Sequence, residues 1–455
     1  MEKKPVKAES KGKKLFWQLH HWVGLYTGIL IGILSITGAL AVFIPEIDGL
    51  IQRYRYNAAS SPSADGIPRF GNAVDSLLKT YPEYRSISIA LPDRPGEVAN
   101  VNLVYKPKGG KSQRYEFFVD TGKDRVAGQR AWQSSLSNYL RQMHVRLYEG
   151  NWGRQLVGIG GIALTIVTIT GLVIYGNFMK NQLWGIFRKS SNMRIIMADW
   201  HKILGIGALA FNLVIALTGA WLGLQPWLMK KFKFSSPRKY KTEKIMKPKE
   251  DRALPVDWDM VLQAAKKEFP DFRPRSLTPS MNGAGTITLH GDIPGLIYER
   301  NINMLVLSKK DLTSLFKYDI RRQAAGHKFY YIQEALHFGD YGGLLLKALY
   351  ALLGLTSAFL SISGFAIFLF RGKKKTQPQG YPWKVVAVYS MLSILFLVVI
   401  AFISLFVGYN PASKVATYVI NGTLLGVCAN LLIRYLIRQF GRRRYLNKLR
   451  DEQNG

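Results

Sequence analysis

The chain has 455 residues, of which 62 are Lys or Arg and 29 are Asp or Glu, giving a formal net charge of +33. Its 48% apolar and 12% aromatic residues exclude a disordered chain. The single cysteine, Cys428, excludes intramolecular disulfides, Cys-ligated iron–sulfur clusters and CxxC redox chemistry. Charged and apolar residues occupy different segments, so the net charge gives no reason to expect nucleic acid as a partner.

Six apolar runs are long enough to cross a bilayer, which takes about 20 residues. They cover residues 22–44, 155–178, 203–225, 343–370, 385–408 and 415–433, and none contains Asp or Glu. The sequence therefore predicts an α-helical integral membrane protein with six spans, in contact with membrane lipid.

Four short basic segments set the predicted orientation, since together they hold 23 Lys or Arg against 5 Asp or Glu. They are residues 1–20, 180–202, 371–384 and 434–455. All four fall on one side if the spans alternate, and the positive-inside rule makes that side cytoplasmic. We therefore expect both termini in the cytoplasm and two long segments outside, which for a bacterial inner membrane is the periplasm.

One pattern of motifs occurs twice, which predicts an internal duplication. LHHWVGL at 19–25 followed by SITGAL at 35–40 aligns without a gap on WHKILGI at 200–206 followed by ALTGAW at 216–221. A second pair of helices matches as well, because a histidine precedes a span glycine by the same 27 residues in MHVRLYEGNWG…ITGL and in LHFGDYGG…ISGF.

The two long segments also look alike. Residues 73–84 and 261–272 each read as a short amphipathic helix, and alternating stretches such as SISIAL, VANVNLVY, TITLHG and LIYERNI follow as predicted strands. The repeated unit is a span, a small α+β module and a second span, with two spans appended. The predicted domains are 1–45 (N-terminus and first span), 46–151 (first module), 152–225 (spans two and three), 226–340 (second module), 341–371 (fourth span) and 372–455 (appended spans and basic tail).

Four of the seven histidines occupy equivalent places in this repeat, each just before a span. His20 and His201 lie on the cytoplasmic side of the predicted topology, and His144 and His337 lie on the periplasmic side. A b-type haem held by two neutral imidazoles needs one histidine from each of two helices at the same depth. The pattern therefore predicts two bis-histidine haem sites, one per leaflet, with the histidines as axial iron ligands.

Two other interpretations of these histidines stay open. Interfacial histidines also serve as plain helix anchors, and Zn²⁺ is a competing metal, although no carboxylate or cysteine completes a tetrahedron at either level. His21 and His327 are reserve ligands: His21 neighbours His20, and His327 lies ten residues before His337 in an aromatic stretch.

The motifs LHHWVGLYTG…TGAL, LYEGNWGRQLVG…TGL, DWHKILGI…ALTGAW and LHFGDYGG…SGF resemble the four transmembrane signatures of the PepSY-associated TM helix proteins, over residues 15–371. This resemblance implies PepSY-like periplasmic modules and a family of iron-regulated inner-membrane proteins that includes ferric-siderophore reductases. It also places the family histidines on His20, His144, His201 and His337. The family usually has Arg where this chain has His21.

Together with the histidine pattern, this resemblance implies an oxidoreductase that passes electrons through two haems to a periplasmic ferric-siderophore or other ferric chelate. Because no dinucleotide fingerprint is visible, the electron donor is expected to be quinol or a separate reductase. The alternatives are a membrane-anchored PepSY-like binding or regulatory protein without enzymatic activity, and a transporter subunit. The basic run at 230–252 either lies against anionic lipid headgroups or captures an anionic chelate.

Overall fold

The structure, a computed structural model, describes residues 11–56, 68–94, 96–106, 110, 112–179, 186–298 and 300–370. Its helices are α1 (Lys11–Ala41), α2 (Ile44–Tyr56), α3 (Gly71–Thr80), α4 (Leu136–Arg146), α5 (Gly150–Met179), α6 (Met193–Gly207), α7 (Leu209–Phe232), α8 (Pro248–Ala253), α9 (Trp258–Glu268), α10 (Ala325–Phe338) and α11 (Gly343–Phe370). Its strands are β1 (Tyr84–Ala90), β2 (Ala99–Tyr105), β3 (Gln113–Asp120), β4 (Arg125–Ala131), β5 (Arg273–Pro279), β6 (Thr286–Asp292), β7 (Asn303–Ser308) and β8 (Ser314–Tyr318).

Four helical stretches in the described part of the chain are long and apolar enough to cross a membrane. They are Gly12–Ala41, Gly150–Gly176, Leu209–Phe232 and Asp340–Phe370, and they coincide with the first four predicted spans. The third predicted span, 203–225, was expected as one helix, but the structure divides it. Its first residues belong to α6, which ends at Gly207, and the candidate span is α7, which begins at Leu209. The predicted spans at 385–408 and 415–433 lie outside the described residues.

The spans pack as a four-helix bundle in which α1 contacts α5 and α11, α5 contacts α7, and α6 contacts α11. The α5–α7 crossing is the tightest, since its backbones meet at small residues. A Cβ added to Gly161 would lie 2.5 Å from the Ala220 nitrogen, and one added to Gly223 would lie 2.4 Å from the Gly158 Cα. Such close approach is typical of helix packing inside membranes.

The strands of both long segments join in one eight-stranded antiparallel sheet with the order β4-β3-β2-β1-β5-β6-β7-β8. Each segment forms a four-strand meander, and the meanders meet where Ile89 pairs with Leu277 and Ala90 with Ser276. The sequence predicts some strands of each segment, such as β1, β2 and β6, but not this pairing, because no motif in one meander indicates which edge of the other it will contact. The two modules thus share a single sheet.

Helices α3 and α9 cover one face of that sheet, each over its own meander. Both are amphipathic, and Val74 of α3 and Val261 of α9 are fully buried against strand residues such as Leu103 and Leu289. The predicted helices at 73–84 and 261–272 therefore exist, although each begins and ends a few residues earlier. The LIYERNI stretch was expected as a strand, but it forms a turn region before β7, in which Asn301 has a positive φ of 56°.

Buried ion pairs tie the sheet to the bundle at its sheet-side end, which is the end reached by the C-terminus of α1. Arg130 of β4 donates two hydrogen bonds of 2.7 and 2.6 Å to Asp48 of α2 and a third of 2.6 Å to Glu116. Lys347, in the first turns of α11, bonds to Glu46 of α2 at 3.0 Å. Helix α2 is therefore held from both sides.

Lys309 is expected to be essential for the fold of the second meander. Its ammonium group, 3% exposed, donates to the fully buried Asp251 carboxylate at 2.7 Å and to the Ser280 carbonyl at 2.7 Å. Lys309→Met leaves a buried carboxylate without its partner, which destabilises a protein by about 3–5 kcal/mol. We expect a clearly lower melting temperature in a thermal unfolding assay, whereas Lys310→Met at the neighbouring exposed position should change it little.

Candidate functional site: two facing histidine pairs

His20 of α1 and His201 of α6 face each other at the far end of the bundle, opposite the sheet. Their ring centroids are 6.2 Å apart, and the ring planes are nearly perpendicular at 88°. Each histidine comes from a different half of the chain, at equivalent places in the two gap-free matching segments. We call these two residues the far pair.

His144 of α4 and His337 of α10 face each other at the other end of the bundle. Their centroids are also 6.2 Å apart, with an interplanar angle of 36°. Burial lowers the pKa of both imidazoles, to about 3 for His337, so both are neutral at physiological pH. We call these two residues the sheet-side pair.

The two pairs lie at different depths of the same bundle. His20 is near the start of α1, and His144 packs against Gly38 near the end of that helix. Seventeen residues separate His20 from Thr37, the hydroxyl neighbour of His144, which corresponds to roughly 25 Å along a helix. This separation is close to the hydrocarbon thickness of a bilayer, about 30 Å.

Every one of the four imidazoles has its Nδ1 bonded to a hydroxyl on a neighbouring span. The partners are Thr170 for His20, Thr37 for His144, Ser363 for His201 and Thr218 for His337, at 3.2, 3.2, 2.9 and 2.9 Å. His20 Nδ1 also lies 2.9 Å from the Val167 carbonyl oxygen. A carbonyl only accepts, so His20 carries its proton on Nδ1.

The same tautomer follows for the other three histidines. Each hydroxyl already donates its proton to a backbone carbonyl three or four residues earlier, at 2.8 Å for Thr37, 2.7 Å for Thr218 and 3.1 Å for Ser363. The hydroxyl oxygen is therefore left as an acceptor for Nδ1–H. All four Nε2 atoms consequently keep a free lone pair, the form in which histidine binds metals.

A glycine follows each of these hydroxyl residues and makes room for the imidazole ring. A Cβ added there would lie 2.9, 3.1, 3.3 and 3.4 Å from the ring Cε1 at Gly38, Gly171, Gly219 and Gly364. The contact at Gly38 would force a neighbour to move, those at Gly171 and Gly219 would require a shift of a few tenths of an ångström, and that at Gly364 is close to ordinary van der Waals contact. The absent side chain therefore matters most at Gly38. In each hydroxyl–glycine pair the hydroxyl accepts a hydrogen bond from the imidazole, and the adjacent glycine leaves space for the ring.

The spacing within both pairs suits one metal ion held between two imidazoles. With metal–nitrogen bonds of about 2 Å and a ring nitrogen about 1 Å from its centroid, centroids on opposite sides of one ion lie roughly 6 Å apart. A tetrahedral Zn²⁺ site needs more protein ligands. No group of three or more His, Cys, Asp or Glu suited to a metal ion occurs in the described ranges.

A family model of the PepSY-associated TM region matches residues 17–371, which contain both histidine pairs. The chain belongs to this family. An uncharacterised protein of Pseudomonas aeruginosa is 25% identical over 250 residues, which cover 51% of this chain and 63% of that relative. The alignment thus spans less than two thirds of the relative, whose name gives no activity. Family membership together with the apolar helices identifies a membrane protein.

A cavity of about 400 Å³ opens beside the far pair in this PepSY-associated bundle. His20, His201, Gly24 and Gly205 line it, and each glycine lies four residues after a pair histidine, on the same helix face. A Cβ on Gly24 would lie 3.7 Å from Val167 and one on Gly205 would lie 3.8 Å from Leu360, so a methyl group fits there in ordinary van der Waals contact, whereas a larger side chain would have to extend into the cavity. The volume lies within the range of cofactor pockets, about 300–1,000 Å³.

The two reserve histidines occupy different surroundings. His21 stacks on Trp17 with a centroid distance of 5.0 Å and lines the far cavity, while His20 is the neighbour that faces His201. His327 lies almost three turns before His337 on α10, where its Nδ1 is 3.2 Å from the Tyr318 hydroxyl. The structure therefore places neither in a facing pair.

Sequence reasoning found the four histidines and the span glycines but missed the four hydroxyls as imidazole acceptors. The signal is present, since Thr-Gly or Ser-Gly occurs at 37–38, 170–171, 218–219 and 363–364. Among the other glycines of the spans, Gly158 and Gly161 lie at the α5–α7 crossing. A Cβ added to Gly28 or Gly32 would lie 4.0 or 3.7 Å from Ser361, which is an ordinary van der Waals contact.

Gly38→Ala is expected to lower the thermal stability of the protein, because its Cβ would lie 2.9 Å from the His144 ring. Overpacking of this kind costs about 1–3 kcal/mol. Gly176→Ala is the matched control, since a Cβ at this α5 position meets nothing within 4 Å and alanine is the better helix former. Equal melting temperatures for Gly38→Ala and the wild type would contradict the seating role of Gly38.

Proposed function

We propose that the protein is a haem-containing electron-transfer protein of the bacterial inner membrane that reduces a periplasmic ferric chelate. In this proposal it is an oxidoreductase of the ferric-siderophore reductase type with two b-type haems. The observation that carries the proposal is the pair of bis-histidine sites, each with fixed Nδ1–H tautomers and a centroid distance of 6.2 Å.

The residues present fit haem at both levels. His20 and His201 would hold one group and His144 and His337 the other, with Nε2 as the ligating atom. A haem held by two imidazoles supplies one-electron redox chemistry, because its iron exists in ferric and ferrous states. The hydroxyl acceptors keep the imidazoles neutral, oriented and more basic, as partners of ligating histidines generally do.

The shape and lining of the far cavity also support the assignment of haem to this site. Its lining is mostly apolar, and Gly24 and Gly205 leave the backbone of α1 and α6 open towards it. A flat macrocycle needs such an open face beside its two ligands. Apolar walls also exclude water from the ligating atoms, which stabilises coordination over hydrolytic exchange.

Orientation completes the proposal. The four basic flanks mark the cytoplasmic side, so the far pair lies in the cytoplasmic leaflet and the sheet-side pair in the periplasmic leaflet. In this orientation both termini are cytoplasmic, and the sheet, built from two PepSY-like modules, is periplasmic. The two equivalent halves descend from a duplicated unit, which explains why each level has one histidine from each half.

The overall reaction transfers one electron from a donor, quinol or a partner reductase, to each ferric ion outside. Reduction releases the metal because Fe(II) is a softer cation than Fe(III) and binds hard oxygen donors less tightly. The chain's own contribution is to hold the redox groups at two depths and to bring the chelate close to the outer one. Where quinol is the donor, each quinol reduces two ferric ions and releases two protons as it becomes quinone.

An absorption spectrum of the purified full-length protein tests the proposal directly. We expect reduced b-type haem bands and two haems per chain, quantified as the pyridine complex. A colourless protein from haem-replete cells would contradict the proposal. It would favour a PepSY-like binding protein or a transporter subunit with structural histidines.

Single histidine variants should each remove one haem. His144→Ala and His337→Ala are expected to lose the sheet-side group, and His20→Ala and His201→Ala the far group, each halving the haem content. His21→Ala and His327→Ala are the matched controls and should retain both. If all four pair variants lost both haems while still eluting as folded protein, the two-level assignment would be wrong.

Filling the far cavity should prevent haem binding at the far pair while both ligating histidines stay unchanged. Gly24→Phe or Gly205→Phe places a large ring in the open space beside the far pair, so we expect loss of the far haem and retention of the sheet-side one. Gly176→Phe introduces the same ring at a position that does not line the cavity, and it should keep both. Difference spectra together with haem quantification measure all three.

A further inference from the structure

Five arginines from four parts of the chain lie near the sheet-side end of the bundle. Arg141 is within electrostatic range of Arg114, Arg146 and Arg300, and Arg154 is within range of Arg141 and Arg146. We call them the arginine cluster: Arg114 of β3, Arg141 and Arg146 of α4, Arg154 of α5 and Arg300 of the turn before β7. They converge from the sheet on one side and from the bundle on the other.

The cluster adjoins both rings of the sheet-side pair. Arg141 precedes His144 by three residues on α4, so the two side chains share a helix face. The Arg300 guanidinium lies over the Phe338 ring at 3.5 Å, and Phe338 packs edge-on against His337 with a centroid distance of 5.4 Å. A ligand held by these arginines is therefore next to the pair.

Positive charge in the cluster exceeds the negative charge that faces it. Asp340 pairs with Arg300, and Arg154 donates from Nε and Nη2 to the Leu222 carbonyl at 3.1 and 2.8 Å. Among the described residues Arg141 and Arg146 form no ion pair, and Glu334 is a carboxylate within electrostatic range of both Arg141 and Arg154. Two guanidinium groups are thus available for an anion.

The cluster can also be reached from solvent. Arg141 is exposed, while Arg146, Arg154 and Arg300 are half-buried. Half-burial strengthens attraction to an anion relative to open water, because the effective dielectric constant is lower. Guanidinium groups bind carboxylates through paired, parallel hydrogen bonds, which also fix the orientation of the ligand.

We propose that the arginine cluster binds the anionic oxygen donors of the ferric chelate and holds it beside the sheet-side pair. The inference rests on the proposed function, since it names where that function's substrate docks. It assigns capture to residues between the sheet and the bundle instead of to the basic run at 230–252. The carboxylates of a haem share the same chemistry, so the experiment must separate the two sources.

Binding of gallium(III) citrate to the full-length protein in detergent tests the proposal by titration calorimetry. Gallium(III) has the charge of ferric iron and is not reduced, so the titration reports binding alone. Arg141→Gln/Arg146→Gln is expected to raise the Kd by roughly tenfold or more, since hydrogen bonds to charged groups are lost. Wild-type binding should weaken with added salt.

Two control variants test whether the change in Kd has the expected direction and whether it belongs to the arginine cluster. Lys239→Gln/Lys241→Gln removes the same charge from exposed positions in the basic run and should leave the Kd within about twofold. Glu334→Gln removes the carboxylate that faces Arg141 and should tighten binding. Equal weakening by the lysine and arginine variants would assign capture to general positive charge and overturn the proposal.

Spectra of the same samples separate the two sources of carboxylate. Both haems should remain in the arginine variant. Loss of one haem with unchanged gallium citrate binding would assign the arginines to haem carboxylates and overturn the proposal. A colourless wild type that binds gallium citrate through these arginines would defeat the proposed function and leave the binding site standing, so the two failures are distinguishable.

Discussion

An imidazole inside an apolar helix bundle needs an acceptor for its N–H, because an unsatisfied polar group there costs several kcal/mol. The bundle meets this need with hydroxyls whose own protons are already bonded to the helix backbone, as at Thr218, which donates to Val214 and accepts from His337. One hydroxyl thereby serves both helices. The hydrogen bond from Nδ1 to the hydroxyl does more than stabilise the bundle locally, since it also leaves Nε2 as the ring nitrogen with a free lone pair.

These bonds also explain how the spans of each half are joined. His20 on α1 bonds to Thr170 on α5, and His144, just before α5, bonds back to Thr37 on α1. The two spans of the first half are therefore tied at both ends, and the second half follows the same arrangement. The facing rings, in contrast, come from different halves. Their 6.2 Å spacing depends on how the halves pack, through the glycine crossing of α5 with α7 and the contact of α1 with α11.

The sequence was sufficient to predict four of the spans and strands such as β1, β2 and β6, because these depend on local periodicity, whereas LIYERNI was wrongly expected as a strand. The joined sheet could not be predicted, since the β1–β5 contact is a long-range pairing between two edge strands with no shared pattern. The acceptor role of Ser363 was missed for a related reason. A serine beside a glycine in an apolar run indicates close packing as readily as a hydrogen bond, and only the position of His201 across the interface decides.

The joined sheet in turn bears on the chemistry at the sheet-side end. Arg114 and Arg300 belong to different meanders, whereas Arg141 and Arg154 belong to the bundle, so their convergence requires a fixed relation among three bodies. The β1–β5 pairing fixes one meander against the other, and the bonds of Arg130 and Lys347 to α2 fix the sheet against the spans. Two modules that moved independently would spread these charges apart. Joining them in one sheet concentrates partly buried positive charge beside a pair of buried, neutral imidazoles.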